Sequence, residues 1–402
     1  MKKTLIAVAA AAALTATSAF AEITFGTWLR SITGVASNGE DIVTGTSNSW
    51  GGIRPSKVNV AGTSEDGNAG FKLDMYYNTG DNIQVGDNAY IWVKPASSVQ
   101  LALGKFDGGE TGLRGDFCYG SWNWLRPGNW IAEDEGLTFN GSHTNGLMAR
   151  ITPIDNLVVL VQLPVMSAKW GGNNGGYVAK TETEDAKNTA ADVFKNAAYM
   201  ASYSIEGVGT LKAGFFGADD EKTVEGKKYN QTGTVNVAFD LNAVENLYVT
   251  VGARFGIADK EYNKRGEKMK FTAGASYQVS DAMKFSVSGG YVKYQDKCIG
   301  KAGDEKDNAF GIGAGVDYVI MDGLTLNADV RYKNIGYGKK GDDGSVSFLA
   351  GVVKSVGGNA SLQAGFQGST NGCGLVQEDT GIPAVEKDDF VWAIPVGLSV
   401  FF

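Results

Sequence analysis

Apolar and polar residues alternate one by one along this chain, in segment after segment, down to its last residue. The final stretch is the clearest case. Phe390, Trp392, Ile394, Val396, Leu398, Val400 and Phe402 fall on one face, against Val391, Ala393, Pro395, Gly397, Ser399 and Phe401 on the other. A period of two belongs to extended strands, because successive side chains point to opposite faces. The rhythm recurs where Phe71, Leu73, Met75 and Tyr77 alternate with Lys72, Asp74 and Tyr76. It recurs again where Leu247, Val249, Val251, Ala253 and Phe255 alternate with Tyr248, Thr250, Gly252 and Arg254, and over 324–332 and 360–367. The second face is mostly polar, charged or glycine, which suits a wet interior.

Alternation alone fits a soluble sandwich equally well. The connections separate the two. Short turns at 153–156, 206–209, 242–246, 280–282, 321–323 and 355–359 take turns with longer polar stretches at 166–196, 218–230, 258–267, 295–307 and 368–388. Short turns at one rim and long loops at the other are the habit of barrels that cross an outer membrane. The chain is therefore predicted to be all-β, a transmembrane antiparallel β-barrel of about 16–18 strands with short periplasmic turns and long extracellular loops. Residues 136–152 read as one bent strand or two, and 34–54 leave room for further structure. Aromatics add a girdle pattern: Tyr199, Phe239, Tyr277 and Tyr318 on strands running one way, and Phe255, Tyr291, Tyr332 and Phe366 near the loop ends of strands running the other.

The start of the chain reads as an address. Met1-Lys2-Lys3 is basic, 5–14 is an alanine-rich apolar core, and Ser18-Ala19-Phe20-Ala21 offers small residues for a peptidase. This predicts a signal peptide over 1–21 with cleavage before Glu22. The apolar run is too short to span a bilayer as a helix. Removing 21 of 402 residues, two of them lysines, leaves 381 and moves the formal charge from −8 to −10. An acidic chain is a poor partner for nucleic acid. Cys118, Cys298 and Cys373 show no metal-ligand spacing; one disulfide, such as Cys298 to Cys373, is permitted in an oxidising compartment.

The address, the alternating strands and a last strand of Val391-Trp-Ala-Ile-Pro-Val-Gly-Leu-Ser-Val-Phe-Phe402 together resemble the Gram-negative outer-membrane porins. A terminal aromatic on an alternating strand is similar to the signal that barrel-assembly machinery reads. A home among the major surface porins of spirochaetes is one reading. Pro395 departs from the pattern, since it removes a ladder donor, and predicts a bulge or an unpaired position. The resemblance implies a passive channel for small hydrophilic solutes and ions, surrounded by outer-membrane lipid, without a cofactor, and assembled as a homo-oligomer, a trimer.

In porins the loop after the fifth strand folds inward and narrows the pore. Here the fifth strand is 99–106, and the segment 107–135 that follows carries Asp107, Glu110, Asp116, Glu133, Asp134 and Glu135 against Arg114 and Arg126. Basic positions expected on the facing wall are Arg30, Lys72, Arg150, Lys212, Arg254, Lys270, Lys284 and Arg331. Acids on one side and bases on the other would set a transverse field, with mild cation preference. The alternative is that these charges merely solvate a wet lumen. Trp122, Trp124 and Trp130 in the same segment could stack on sugar rings and make a carbohydrate-selective channel, or they could pack the segment against the wall. A third reading is a surface adhesin on a closed barrel, its long loops binding partners. Catalysis is not expected. The single histidine, His143, lies in a polar turn without a marked nucleophile or orienting group. Asp219-Asp220-Glu221 and Asp304-Glu305 lack the spacing of a Ca²⁺ loop, so no metal is expected either.

Overall fold

The structure, a computed structural model, describes residues 22–37, 39, 41–47, 56–78, 82–106, 144–165, 190–224, 227–258, 267–294, 308–334, 344–370 and 390–402. Strands dominate them. The first six are β1 (Glu22–Ser37), β2 (Ile42–Ser47), β3 (Ser56–Thr63), β4 (Ala69–Asn78), β5 (Asn82–Ala96) and β6 (Val99–Phe106). Then come β7 (Thr144–Ile154), β8 (Leu157–Leu163), β9 (Ala198–Ile205), β10 (Gly209–Val224), β11 (Lys227–Leu241) and β12 (Leu247–Ala258). The last are β13 (Glu267–Ser280), β14 (Met283–Tyr294), β15 (Ala309–Met321), β16 (Leu324–Lys333), β17 (Ser345–Val356), β18 (Ala360–Ser369) and β19 (Val391–Phe401).

Except for β2 and β3, each strand pairs antiparallel with the next, and the ring closes where β1 pairs with β19, from Trp28↔Phe401 to Ser37↔Trp392. The seam extends to the final residue. Thr27 N–H donates to the Phe402 carbonyl at 2.7 Å, and Phe402 N–H donates back to Thr27 at 2.9 Å. β2 and β3 both pair with β1, β2 against its second half and β3 against its first. They lie end to end as one stave, so 19 strand segments make an 18-stave closed barrel. Closure pairs the first and last strands, which in an open sheet would be its edges. Among the described residues no helix is long and apolar enough to cross a membrane.

The short connections are tight because their residues permit it. Asn156 and Asn246 adopt left-handed backbone angles (φ 65 and 63), and Gly323 does the same at φ 69. All six turns expected from the sequence join adjacent strands at one rim, with two more at 64–68 and 97–98. Residues 34–47 do hold structure: β1 runs to Ser37 and β2 follows. The stretch 218–230 is not a loop, since β10 reaches Val224 and β11 begins at Lys227. A hairpin that projects beyond the membrane has water on both faces, so it can stay extended without an apolar face. Residues 190–195 of the expected loop 166–196 form a six-residue helix, α1 (Ala190–Lys195). The chain just after it lies against β10, where Gly217 N–H donates to the Ala197 carbonyl at 2.9 Å.

Pro395 does not cause a bulge. β18 and β19 keep one register from Ala360↔Val400 to Ser369↔Val391, but the ladder skips Ile394 and Pro395. The unpaired position appears without a shift. Two bands of rings also take shape. Phe239, Tyr277 and Tyr318 stand near the turn end, whereas Tyr199 sits at the loop end, stacked on Phe215. Along the loop end Phe255 meets Phe271 edge-on, Phe310 meets Tyr332, and Phe366 stacks on Trp392.

Candidate functional site: the lumenal wall

Exposure tells the two faces of each stave apart. On β19, Ile394, Val396 and Leu398 are 44–46% exposed, while Ala393 and Ser399 are at most 1% exposed. The apolar, exposed face looks outward to lipid. The shielded face looks into the closed ring, and it is not uniform.

From β5 to β11 the inner face carries an apolar patch. Ala102, Phe106, Met148, Leu160, Ala198 and Met200 are buried together there, with Tyr90, Trp92 and Phe216 packed against them. The register makes this a wall and not a scatter: Ala102 faces Met148, Leu160 faces Met200, and Ala198 faces Phe216. Gly104 lets the rings close up. A side chain there would run into the backbone of Ala89 and Tyr90, and the free space lets Tyr90 tilt onto Phe106 at 5.2 Å. Sequence reasoning missed this sector, though β8 carried the signal. Leu-Val-Val-Leu-Val-Gln-Leu is apolar on both faces, the mark of a strand covered on both sides.

Around and beyond this patch the inner face is mostly polar and internally bonded. At Asp74 the β4–β5 register slips, and β5 spends extra residues there. The fully shielded Asp74 carboxylate ties the bulge down, accepting from Asn88 N–H at 3.2 Å, Asn88 Nδ2 at 2.9 Å and Lys57 Nζ at 3.0 Å. On the other side Lys212 and Thr250 both bond Asp240, at 2.5 and 2.7 Å. Asn327 donates to Asp317 at 2.6 Å, and Ser347 meets Ser369 at 2.8 Å. Such networks fix side chains whose partners would otherwise be water.

The expected wall bases fall in this frame as follows. Lys72 stands between Ala61 and Tyr90, and Arg150 between Gln100 and Leu160 at the border of the apolar sector. Lys212 is held by Asp240. Arg254 and Lys270 face each other across β12 and β13. Lys284 lies between Gln278 and Asp317, and Arg331 between Gly313 and Ser347. Lys270 and Arg331 are only 2% and 3% exposed. Arg30 pairs with Ser399 in the register, and its side chain lies outside the described residues. So does the whole acidic segment, with Asp107, Glu110, Arg114, Asp116, Arg126, Glu133, Asp134 and Glu135, and so do Trp122, Trp124 and Trp130. The structure adds Lys57 and Lys333 to the wall, and with them cations outnumber carboxylates on its described part. Among the described residues no cluster of His, Cys, Asp or Glu could hold a metal ion.

A closed antiparallel ring, apolar outside and charged within, defines the class of transmembrane pore proteins. The sequence profile of the Gram-negative porins matches residues 7–336, and the chain belongs to that family. Its members are channels of the bacterial outer membrane, not enzymes, and this chain is a channel for passive diffusion. No curated protein sequence matches it. Among solved structures, an anion-selective porin from Comamonas acidovorans is similar at TM-score 0.52 and 13% identity, over 95% of this chain and 99% of that one. The outer membrane channel DcaP of Acinetobacter baumannii is similar at TM-score 0.52 and 8% identity, over 95% and 97%. At such identities the likeness bears on fold alone.

Proposed function

We propose that this porin is a general diffusion channel whose constriction is formed by residues 107–135. The observation that carries the reading is the apolar inner sector, which includes β6 and β7, the two strands that segment lies between in the chain. Phe106, the last residue of β6, is 1% exposed, and Leu160 and Ala198 are as fully covered. An apolar wall inside a wet lumen needs an apolar cover. Phe117, Tyr119, Trp122, Trp124 and Trp130 of the segment supply suitable faces. This assigns the three tryptophans to packing and not to sugar stacking, and it supports neither the carbohydrate-selective nor the adhesin reading.

With its rings on the wall, the segment presents Asp107, Glu110, Asp116, Glu133, Asp134 and Glu135 to the path, and Arg114 and Arg126 temper them. The wall across the lumen is basic, so a transverse field acts on any dipolar solute. The sign of ion selectivity reports which charge lies nearer the permeating ion, and the proposal gives that place to the segment and the preference to cations. Residues 1–21 direct export and are removed, and the barrel works as a trimer.

Planar-bilayer recording of the refolded chain tests this. Large ohmic steps with mild cation preference are expected, and Glu133→Gln with Asp134→Asn and Glu135→Gln should move the reversal potential toward anions. Correctly folded barrels that carry no current would sink the channel reading. An unchanged reversal potential would remove the segment from the constriction.

A further inference from the structure

The chain enters β9 over the outside of the ring. On β10, Leu211, Ala213, Phe215 and Gly217 share the lipid-facing side, while Lys212 and Phe216 between them look inward. A side chain at Gly217 would run into the carbonyl oxygen of Lys195, the last residue of α1, and into the backbone of Asn196. The end of α1 is therefore laid over the lipid-facing side of β10, and the glycine is what permits so close an approach. Tyr199, on the same side of β9, donates its hydroxyl to the Phe194 carbonyl at 3.3 Å. Its ring stacks on Phe215 at 6.4 Å, so α1 rests directly against the loop-end band of aromatics.

The sides of this short helix are sorted in an unusual way. Asn196 closes it, since both its backbone N–H and its side-chain amide donate to the Asp192 carbonyl at 3.0 Å. At about 100° per residue, Ala190, Ala191 and Phe194 fall on one side with Lys195 at its border, and Asp192, Val193 and Asn196 fall on the other. The first four are exposed, Phe194 by 57%, and the other three are half-buried. Two polar residues thus turn toward the protein, while the alanines and the phenylalanine turn away from it. For a helix facing water this distribution is inverted. It is the distribution of the barrel's own exterior, which meets lipid.

We propose that α1 is a lipid-contact element, lying in the membrane interface at the loop end with Phe194 among the acyl chains and Lys195 at the headgroup phosphates. The surface it presents is continuous with the lipid-facing belt, where Tyr199 and Leu211 are exposed on the same side. A basic residue beside an aromatic is the pairing that interfacial helices use. Two alanines and one phenylalanine fall short of the roughly 800 Å² per partner that a stable protein contact takes, whereas lipid sets no minimum area. Anchored there, α1 holds the entry to β9 on the outer side of the ring. The inference is independent of what passes through the lumen.

The test uses the full chain carrying Phe194→Trp, refolded in phosphatidylcholine vesicles whose acyl chains are brominated near the headgroup. The quantity read is the emission that the variant adds to that of the natural chain with its own eight tryptophans. Lipid-borne bromine should quench most of the added emission, and iodide in the water should leave it nearly unchanged. Quenching by iodide and not by bromine would put α1 in water and overturn the proposal. Quenching by neither would mean a protein cover, from a second copy or another part of this chain, and would overturn it too. Gly217→Val in the same chain checks the seat on β10: barrels that fold should lose the bromine quenching and gain the iodide quenching. Bromine quenching unchanged by Gly217→Val would remove that seat and the proposal with it, leaving the channel reading untouched.

Discussion

Two sectors of one wall, built by the same strand pairing, present opposite chemistry to the lumen. Around β6–β9 the inner face is Ala102, Phe106, Met148, Leu160 and Met200, covered as completely as the core of a soluble protein. Around β13–β15 it is glycine, serine and threonine between lysines and arginines. The outer faces of the two sectors do not differ in this way, since lipid demands apolar side chains everywhere. Only the inner face is free to vary. A channel of this kind thus has a fixed exterior and an interior that can be part packing surface and part solute path.

Charge insertion should separate the sectors most sharply. Leu160→Asp puts an unpaired carboxylate into the apolar sector and is expected to cost more than about 3 kcal/mol or to prevent folding. Ser286→Asp, at a polar wall with Lys284 two residues away, should cost less than about 1 kcal/mol. Urea unfolding followed by tryptophan fluorescence compares them, and equal costs would mean that the sectors do not differ physically.

The buried lock at the β5 bulge comes next. Asp74→Ala removes the buried acceptor shared by Lys57 and Asn88 and should destabilise by about 3 kcal/mol, whereas Lys57→Met combined with Asp74→Leu should recover most of that loss. If the double replacement is no better than the single one, the pair is not what holds the bulge. On the polar side, Thr250→Val removes one of two bonds to Asp240 and should cost about 1 kcal/mol in the same assay.

The smallest effect belongs to the turn before β4. The Ser64 hydroxyl, with the backbone and side-chain amides of Asn68, holds the Asp66 carboxyl down to about 2. A lowered pKa stabilises above the unfolded value of 3.8, and that stability fades as pH falls through about 2. Asp66→Asn should therefore flatten the acid dependence of unfolding between those two values, and a titration showing an ordinary carboxyl at Asp66 would refute the assignment.

The barrel was largely legible in the residues. Strands such as 247–255 and 390–402 announce themselves by a period of two, and the short turns by Asn156, Asn246 and Gly323. Less legible were the stretches that obey another rule. Residues 218–230 carry no apolar face because the hairpin there stands clear of lipid, so they read as a loop. The inner sector at β8 interrupts the alternation because both its faces are apolar. The basic positions could be picked by parity, but their partners could not. Nothing near Lys57 in sequence points to Asp74, and nothing near Lys212 points to Asp240.

What the sequence determined by itself is the lipid-facing half of each strand, hence the class of barrel and its short turns, while the count, left at about 16–18, was fixed at 18 staves only by the pairing. That constraint is local, because every residue in a bilayer must satisfy it wherever its neighbours lie. The inner wall was decided by the tertiary structure. Whether Leu160 is covered, whether Asp74 meets Lys57, and whether the glycines of β15 line up with the serines of β14 depend on register and on staves far apart in the chain. The lumen is an environment the ring makes only by closing, and no single strand carries it.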